Sequence, residues 1–185
     1  MYKMKFLFLL LLPIFAFSQK FDGYVVTASN DTINCRFFIK TNSADEKTPY
    51  PSSVCKKVKI LSDKGEEMTF KPSQLKLFFI KGTKDCDLKF VSLKEDDDQF
   101  YHELQIGKLS LYKIYFTSMY GQEFSNGVIL KDGKLYKIAG FGLRKKFGEL
   151  IKDYPELYDK WMNSEDYKLD QFQELVGLYN EHFKN

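Results

Sequence analysis

The sequence predicts an α+β fold: an antiparallel β-sheet, curled or forming a partial barrel, followed by a C-terminal segment of three helices. Two observations predict this class. Up to about residue 139, apolar and polar residues alternate, and turn-forming residues separate the alternating segments. Beyond that point the apolar residues recur with the helical period. Because strands and helices are not interleaved, a parallel nucleotide-binding sheet is disfavoured.

The N-terminus has the features of a secretory signal peptide. Two lysines precede an apolar run over residues 6–17, and small residues at Ala16 and Ser18 favour cleavage before Gln19. The run is shorter than the roughly 20 residues that a membrane-spanning helix needs. We therefore expect removal of the segment up to Ser18. What is left, 19–185, is predicted to be a single domain, periplasmic or secreted, without a transmembrane anchor.

Most of the net positive charge lies in that signal peptide. The chain has 28 Lys and Arg residues against 25 Asp and Glu. Removing the signal removes two lysines and no acid, which leaves 26 basic residues against 25 acidic ones. A chain so close to neutrality, with scattered lysines, lacks the basic surface that nucleic acids require. We therefore expect no nucleic-acid partner.

Three hairpins are predicted between residues 19 and 139. They are 21–28 with 32–39, 54–61 with 66–71, and 126–131 with 134–138. The third has the strongest turn signal, because Asp132-Gly133 suits the two positive φ angles of a type I′ turn. Further strand candidates are 75–81, 87–93 and 108–116. The segment 41–53, with Pro49 and Pro51, is predicted to be a loop.

The change to helices occurs at "GFGLRKKFGELI", residues 140–151. Lys145 stands where a dinucleotide-binding motif needs its third glycine, and no Gly-Lys-Ser/Thr follows, so a phosphate cradle is disfavoured. We predict that the glycines turn the chain from sheet to helix. Buried faces are then predicted on three helices. These faces contain Leu143, Phe147, Leu150, Ile151 and Tyr154, then Leu157, Tyr158, Trp161 and Met162, then Leu169, Phe172, Leu175, Val176, Tyr179 and Phe183. Ser164-Glu165-Asp166 is the predicted cap of the third.

Three cysteines become relevant if the chain is exported, because disulfides form in oxidising compartments. Cys35 alternates with apolar residues and is predicted to be a small buried side chain. If a disulfide forms, the predicted pair is Cys55 with Cys86. Unpaired thiols are the alternative.

The segment "EDDDQFYHE", residues 95–103, gathers the groups that metal ions and acid/base chemistry use. Its candidates are Asp96, Asp97, Asp98, His102 and Glu103. Their spacing matches neither an EF-hand loop nor a zinc helix. A solvated acidic loop explains the same composition and is favoured. No nucleophile motif is present, so catalysis is unsupported by the sequence and no cofactor is expected.

Aromatic residues are the remaining candidates for function. Tyr112, Tyr115 and Trp161 are the rings we consider for ligand contact. The alternative is that they fill the interior of a sheet covered on both faces. An apolar pocket or an exposed recognition patch would instead use them to bind a partner.

Short motifs resemble a pattern found in uncharacterised exported proteins of Bacteroidota. They are "DGYVVTASNDTI" near the start, "GKLSLY" at 107–112, and "DYPEL" with "LVGLYN" near the end. The resemblance implies location in the cell envelope and supplies no activity or catalytic residue. Asp31-Thr32-Ile33 is also similar to the O-glycosylation signal of that phylum, with Thr32 as the acceptor. A turn followed by a strand explains the same tripeptide and is favoured.

Together these features predict an exported, non-catalytic binding or structural module of the cell envelope. Its expected partner is an envelope protein, a glycan or a lipid. Two alternatives stay open. One is a hydrolase of envelope polymers that uses acidic residues of the segment 95–103. The other is a small carrier of a lipid or apolar ligand.

Overall fold

The computed structural model describes residues 18–42, 45–83, 87–140, 142–163 and 171–184. Over these residues, eleven antiparallel strands precede three α-helices, which confirms the α+β class. The strands are β1 (Ser18–Thr27), β2 (Thr32–Asn42), β3 (Asp45–Pro49), β4 (Val58–Ser62), β5 (Glu67–Phe70), β6 (Leu75–Ile80), β7 (Leu88–Leu93), β8 (Asp96–Gln105), β9 (Ser110–Thr117), β10 (Glu123–Lys131) and β11 (Lys134–Ile138). The helices are α1 (Leu143–Ile151), α2 (Pro155–Asn163) and α3 (Phe172–His182). None of the helices in the described ranges is long and apolar enough to cross a membrane.

The sheet is open. Its strand order is β11-β10-β9-β8-β7-β6-β1-β2-β4-β5, with β3 paired to β2. Most neighbours in this order are consecutive in the chain, as the predicted hairpins require. There are two exceptions: β1 pairs with β6 and so joins the two halves of the sheet, and β2 pairs with β4. The edges β11 and β5 do not pair, so the described strands form no closed barrel.

The open sheet is nevertheless strongly curved. The backbone N–H of Phe100 in β8 donates to the carbonyl of Cys55, just before β4, at 2.7 Å. The N–H of Ser52 donates to the carboxylate of Glu123 in β10, also at 2.7 Å. In a flat sheet the five spacings between β4 and β8 would separate these strands by about 24 Å. The two ends must therefore curl toward one another, and the segment 51–55 bridges them.

The inner face of this curved sheet carries the main core. The ring of Phe78 stacks on Phe90 at 4.8 Å and meets Phe100 edge-on at 4.9 Å. Val54 and Cys55, from the bridging segment, belong to the same buried cluster. The bridge therefore closes the core as well as joining the strands.

The three helices cover the other end of the inner face, over β9, β10 and β11. Strand and helix residues form one buried cluster there: Leu109, Leu111, Ile129, Ile138, Phe147, Leu150, Ile151, Leu157, Trp161, Leu175, Val176 and Tyr179. The predicted helix faces supply the helical members of this cluster. A third, smaller cluster of Tyr101, Tyr112, Ile114 and Val128 lies on the outer face.

Two segments predicted to be loops contain strands. The acidic segment 95–103 lies mostly in β8, because Phe100 and His102 alternate toward the inner face and the strand pairs with both β7 and β9. The segment 41–53 contains β3, which tolerates Pro49 because among the described strands it pairs only with β2 and is therefore an edge strand. Conversely, residues 51–54 form a 3₁₀ turn, so β4 begins at Val58 and is shorter than predicted.

Glycine geometry confirms two turn predictions. Asp132 and Gly133 have φ of 50° and 70°, as a type I′ turn requires. Gly140 and Gly142 both have φ of 76°, so they turn the chain from β11 into α1. The predicted cap of α3, Ser164-Glu165-Asp166, lies outside the described residues.

Candidate functional site

Trp161 is fully buried between α1 and α2. Its indole Nε1–H donates to the backbone carbonyl of Arg144 at 2.7 Å, and the guanidinium of Arg144 lies 4.8 Å above the ring. The same guanidinium donates to the carbonyl of Trp161. These contacts are all internal, so Trp161 holds two helices together.

The two candidate tyrosines lie on opposite faces of β9. Tyr112 is buried on the outer face, 6.0 Å from the ring of Tyr101, and burial raises the pKa of its hydroxyl. Tyr115 lies on the inner face, half-buried, and its hydroxyl is 2.7 Å from Nδ1 of His102. The strand alternation therefore separates these rings.

The acidic candidates do not converge on one point. Asp97 and Asp98 are exposed, while Asp96 accepts hydrogen bonds from Tyr101 and from the backbone N–H of Asp98. Glu103 lies on the outer face in an ion pair of 2.7 Å with Lys89.

His102 points the other way from Glu103, into the inner face, and is only 7% exposed. Its ring stacks on Phe90 at 5.2 Å. Within the described ranges, no three Asp, Glu, His or Cys side chains are placed to hold a metal ion together.

The candidate cysteines and the candidate glycosylation site lie in different parts of the fold. Cys35 and Cys55 are buried free thiols, and Cys55 donates from Sγ to the carbonyl of Pro51 at 3.3 Å. Cys86 lies outside the described residues, so the Cys55–Cys86 disulfide stays a prediction. Thr32 is exposed at the start of β2, directly after a turn that the Asp31 carboxylate stabilises by accepting from Ser29 at 2.6 Å.

Three of the short motifs, "GKLSLY", "DYPEL" and "LVGLYN", meet in space and pack the fold. Asn180 of "LVGLYN" pairs with both backbone groups of Leu109 in "GKLSLY", each at 2.8 Å. A Cβ at Gly107 would lie 2.3 Å from the Asn180 side chain, so only glycine fits there. Asp153 of "DYPEL" accepts from the Tyr179 hydroxyl at 2.8 Å. These contacts join α3 to the residue that precedes β9 and to the turn between α1 and α2.

A groove with a volume of about 240 Å³ lies where the helices meet the inner face. It is called the Lys113 groove here, and its walls include Leu111, Lys113, Gly127, Ile138, Leu143 and Phe172. The register of the strands explains the shape of the groove floor. Lys113, Gly127 and Ile138 are direct neighbours across β9, β10 and β11, so the missing side chain of Gly127 leaves a gap in the row.

Among the described residues that line the groove, Lys113 is the one with a charged side chain. Lys113 faces His102 across the β8–β9 pair. Burial, together with the charge of Lys113, lowers the pKa of His102 to about 4. His102 is therefore neutral at physiological pH, and the ammonium group of Lys113 carries the local charge.

A second candidate is the aromatic hairpin, residues 116–124, which runs from the end of β9 to the start of β10. Phe116 and Phe124 are direct partners whose rings stack at 5.8 Å on the surface. Between them, Met119 is 95% exposed and Tyr120 is 91% exposed. Exposed apolar groups of this size, clustered in one place, are typical of interaction surfaces.

The turn of the aromatic hairpin is held by hydrogen bonds. The N–H of Ser118 donates to the carbonyl of Gln122 at 2.8 Å, and the N–H of Gly121 donates to the carbonyl of Ser118 at 3.0 Å. The Ser118 hydroxyl accepts from two more backbone N–H groups, those of Tyr120 and Gln122. Gly121 has φ of 80°, which favours glycine. The turn thus presents Met119 and Tyr120 without support from the core.

No protein-family model, no curated protein and no solved structure matches this chain. Function is therefore inferred from the geometry of the chain itself.

Sequence reasoning missed Lys113 and Gly127 in the groove, and Met119 and Phe124 in the hairpin. One signal for the groove was present: an isolated glycine inside a strand pattern marks a gap or a close approach. The hairpin residues had a weaker signal. Ser118 and Gly121 are turn-forming residues, and turns generally run over the protein surface.

Proposed function

We propose that this protein is a non-catalytic binding module of the cell envelope, which docks onto an apolar surface of a partner protein through the aromatic hairpin. The observation that carries the proposal is the exposure of Met119 and Tyr120 at the tip of a hydrogen-bonded turn. Leaving such side chains in water forgoes about 1.5–3 kcal/mol of burial free energy for a large apolar residue. A partner that covers them recovers part of this free energy.

The chemistry of the hairpin favours a protein surface as the partner. The stacked pair of Phe116 and Phe124 forms a flat apolar base, and Met119 adds a flexible, polarizable side chain that adapts to irregular surfaces. Tyr120 adds one hydroxyl at the tip. Aromatic residues and Met are enriched at protein interfaces, where a few buried anchors supply most of the affinity.

The first experiment is site-specific photo-crosslinking in cells that export the protein. A photoreactive phenylalanine analogue replaces Tyr120 in one variant and Tyr136 in the control. Tyr136 is a surface tyrosine on β11, 37% exposed and outside the hairpin. We expect a discrete protein adduct from position 120 only. Equal adduct patterns from both positions would contradict the proposal.

The second experiment measures affinity for the partner identified in that adduct, by calorimetry with purified proteins. Replacing Met119 and Tyr120 by Ser should weaken binding tenfold or more, because hot-spot residues contribute about 2 kcal/mol each. Tyr136→Ser is the matched control and should leave the affinity unchanged. If the hairpin residues instead promoted binding to phospholipid vesicles and no protein adduct formed, the hairpin would bind a membrane surface. The proposal of a protein partner would then be wrong.

A further inference from the structure

We infer that the Lys113 groove binds a small monocarboxylate with an apolar tail, with the carboxylate at Lys113 and the tail against the helices. The groove shares no lining residue with the aromatic hairpin, so this site is independent of the proposed docking function. It would take a ligand of a different class.

The shape of the groove follows from the register of three strands. Gly127 lies between Lys113 and Ile138, and its lack of a side chain opens the sheet surface there. Leu143 at the start of α1 and Phe172 at the start of α3 form part of the opposite wall. An apolar tail laid over Gly127 would therefore contact aliphatic and aromatic groups on both sides.

The positive charge of Lys113 favours a negatively charged head group on the ligand. Lys113 is half-buried and, among the described residues, forms no ion pair. Two other lysines of the sheet, Lys89 and Lys131, instead pair with Glu103 and Asp153, at 2.7 and 3.1 Å. An ammonium group bordered by apolar side chains attracts an anion more strongly than one surrounded by water does. One lysine beside a neutral histidine balances one negative charge, which favours a carboxylate over a doubly charged phosphate.

The volume of the Lys113 groove limits the size of the apolar tail. A cavity of about 150 Å³ is known to hold benzene, and drug-sized ligands need roughly 300 Å³ or more. The Lys113 groove, at about 240 Å³, lies between these values and suits a medium-chain acid. We therefore use octanoate as the probe.

The test compares octanoate, octanol and octylamine, which share one tail and differ in the charge of the head group. Binding to the full chain is measured at pH 7.5 by calorimetry and by NMR shifts of groove residues. We expect octanoate to bind at least tenfold more tightly than the other two. Lys113→Met should remove this preference, and Lys113→Arg should retain it. Lys137→Met removes an exposed lysine from β11 and should change nothing.

Gly127→Val tests the site without changing its charge. A Cβ at Gly127 would lie 3.5 Å from Cβ of Ile138, an ordinary contact, so the strand accepts a side chain that fills the floor of the groove. Thermal unfolding confirms that each variant is folded, and this variant should lose octanoate binding. Equal affinity for octanoate and octanol, undiminished octanoate binding by folded Lys113→Met, or no octanoate binding at millimolar concentration would each overturn the inference.

Discussion

At the scale of single residues, the side chain of Asn180 connects α3 to the sheet by hydrogen bonds. The amide of Asn180 accepts from the N–H of Leu109 and donates to its carbonyl, at 2.8 Å each, as the backbone of a neighbouring strand would. This pairing satisfies both backbone groups of a buried residue, which would otherwise cost about 1–3 kcal/mol each. The pairing also explains why a glycine stands at position 107.

His102 makes the stability of the fold depend on pH. Burial and the charge of Lys113 lower its pKa to about 4 in the folded chain, against an ordinary value of 6.5. The unfolded chain therefore binds a proton more readily than the folded one between these values. Stability is complete above the ordinary pKa and falls as the pH is lowered toward 4.

We expect the free energy of unfolding to fall by up to about 3 kcal/mol between pH 7 and pH 4 through this residue. Urea unfolding at a series of pH values measures the loss. His102→Gln should flatten the curve in this window. The lowered pKa values of Asp96 and Asp153 act at lower pH, because their ordinary value is 3.8. A wild-type curve that matches His102→Gln from pH 7 to 4 would contradict the buried, neutral histidine.

At the scale of elements, each helix depends on its neighbours, because all three are too short to be stable in isolation. The contact between α1 and α2 centres on Trp161. Its ring meets Phe147 edge-on at 5.2 Å, and its indole N–H satisfies the carbonyl of Arg144. Trp161 therefore contributes both packing and a hydrogen bond to the contact between α1 and α2.

Replacing Trp161 should separate these two contributions. Trp161→Ala leaves a large cavity and should lower the free energy of unfolding by about 3–5 kcal/mol. Trp161→Phe keeps most of the packing but removes the donor to Arg144, so we expect a smaller loss of about 1–3 kcal/mol. Urea unfolding followed by circular dichroism measures both. Losses below 1 kcal/mol for both variants would show that Trp161 is not an anchor.

Elements also differ in how far the sequence predicts them. The hairpin at Asp132-Gly133 and the faces of the helices follow from contacts between residues close in sequence, so local patterns are sufficient. Strand β8 was missed because its first residues are acidic and mostly exposed, and its buried residues begin only at Phe100. Its strand conformation depends on pairing with β7 and β9.

At the scale of the whole molecule, the bridge at 51–55 compensates for the open sheet. Glu123 accepts from the N–H of Ser52, and Thr117 and Ser52 join their hydroxyls at 2.9 Å. These contacts link β9 and β10 to the opposite end of the sheet. Thr117 and Glu123 belong to the aromatic hairpin, so the bridge also holds the base of the proposed docking surface.

We expect the carboxylate of Glu123 to contribute measurably to this closure. Glu123→Ala removes the acceptor and should lower the free energy of unfolding by about 1–2 kcal/mol, while Glu123→Gln keeps an acceptor oxygen and should lose less. Amide hydrogen exchange gives the sharper readout, because the N–H of Ser52 should exchange faster in Glu123→Ala. Unchanged exchange in Glu123→Ala would show that the bridge does not depend on this bond.

The two functional candidates illustrate why sites are harder to predict than elements. Lys113, Gly127 and Ile138 are separated in sequence, and only the register of three strands places them in one row. Phe116 and Phe124 stack for the same reason. The candidates chosen from composition, such as the acidic residues of β8, are close in sequence. Because successive side chains of a strand point to opposite faces of the sheet, His102 and Glu103 nevertheless lie on different faces.

The sequence by itself determined the fold class, the main hairpins, the turn from sheet to helix at Gly140 and Gly142, and the buried faces of the helices. These features depend on the backbone preferences of single residues and on the period of apolar side chains, which are local properties. Only the tertiary structure decided the strand order, the curvature bridged at Ser52, the groove at Lys113 and the exposure of Tyr120. Each of these depends on which distant segments share the surface of one curved sheet, and no local pattern encodes that choice.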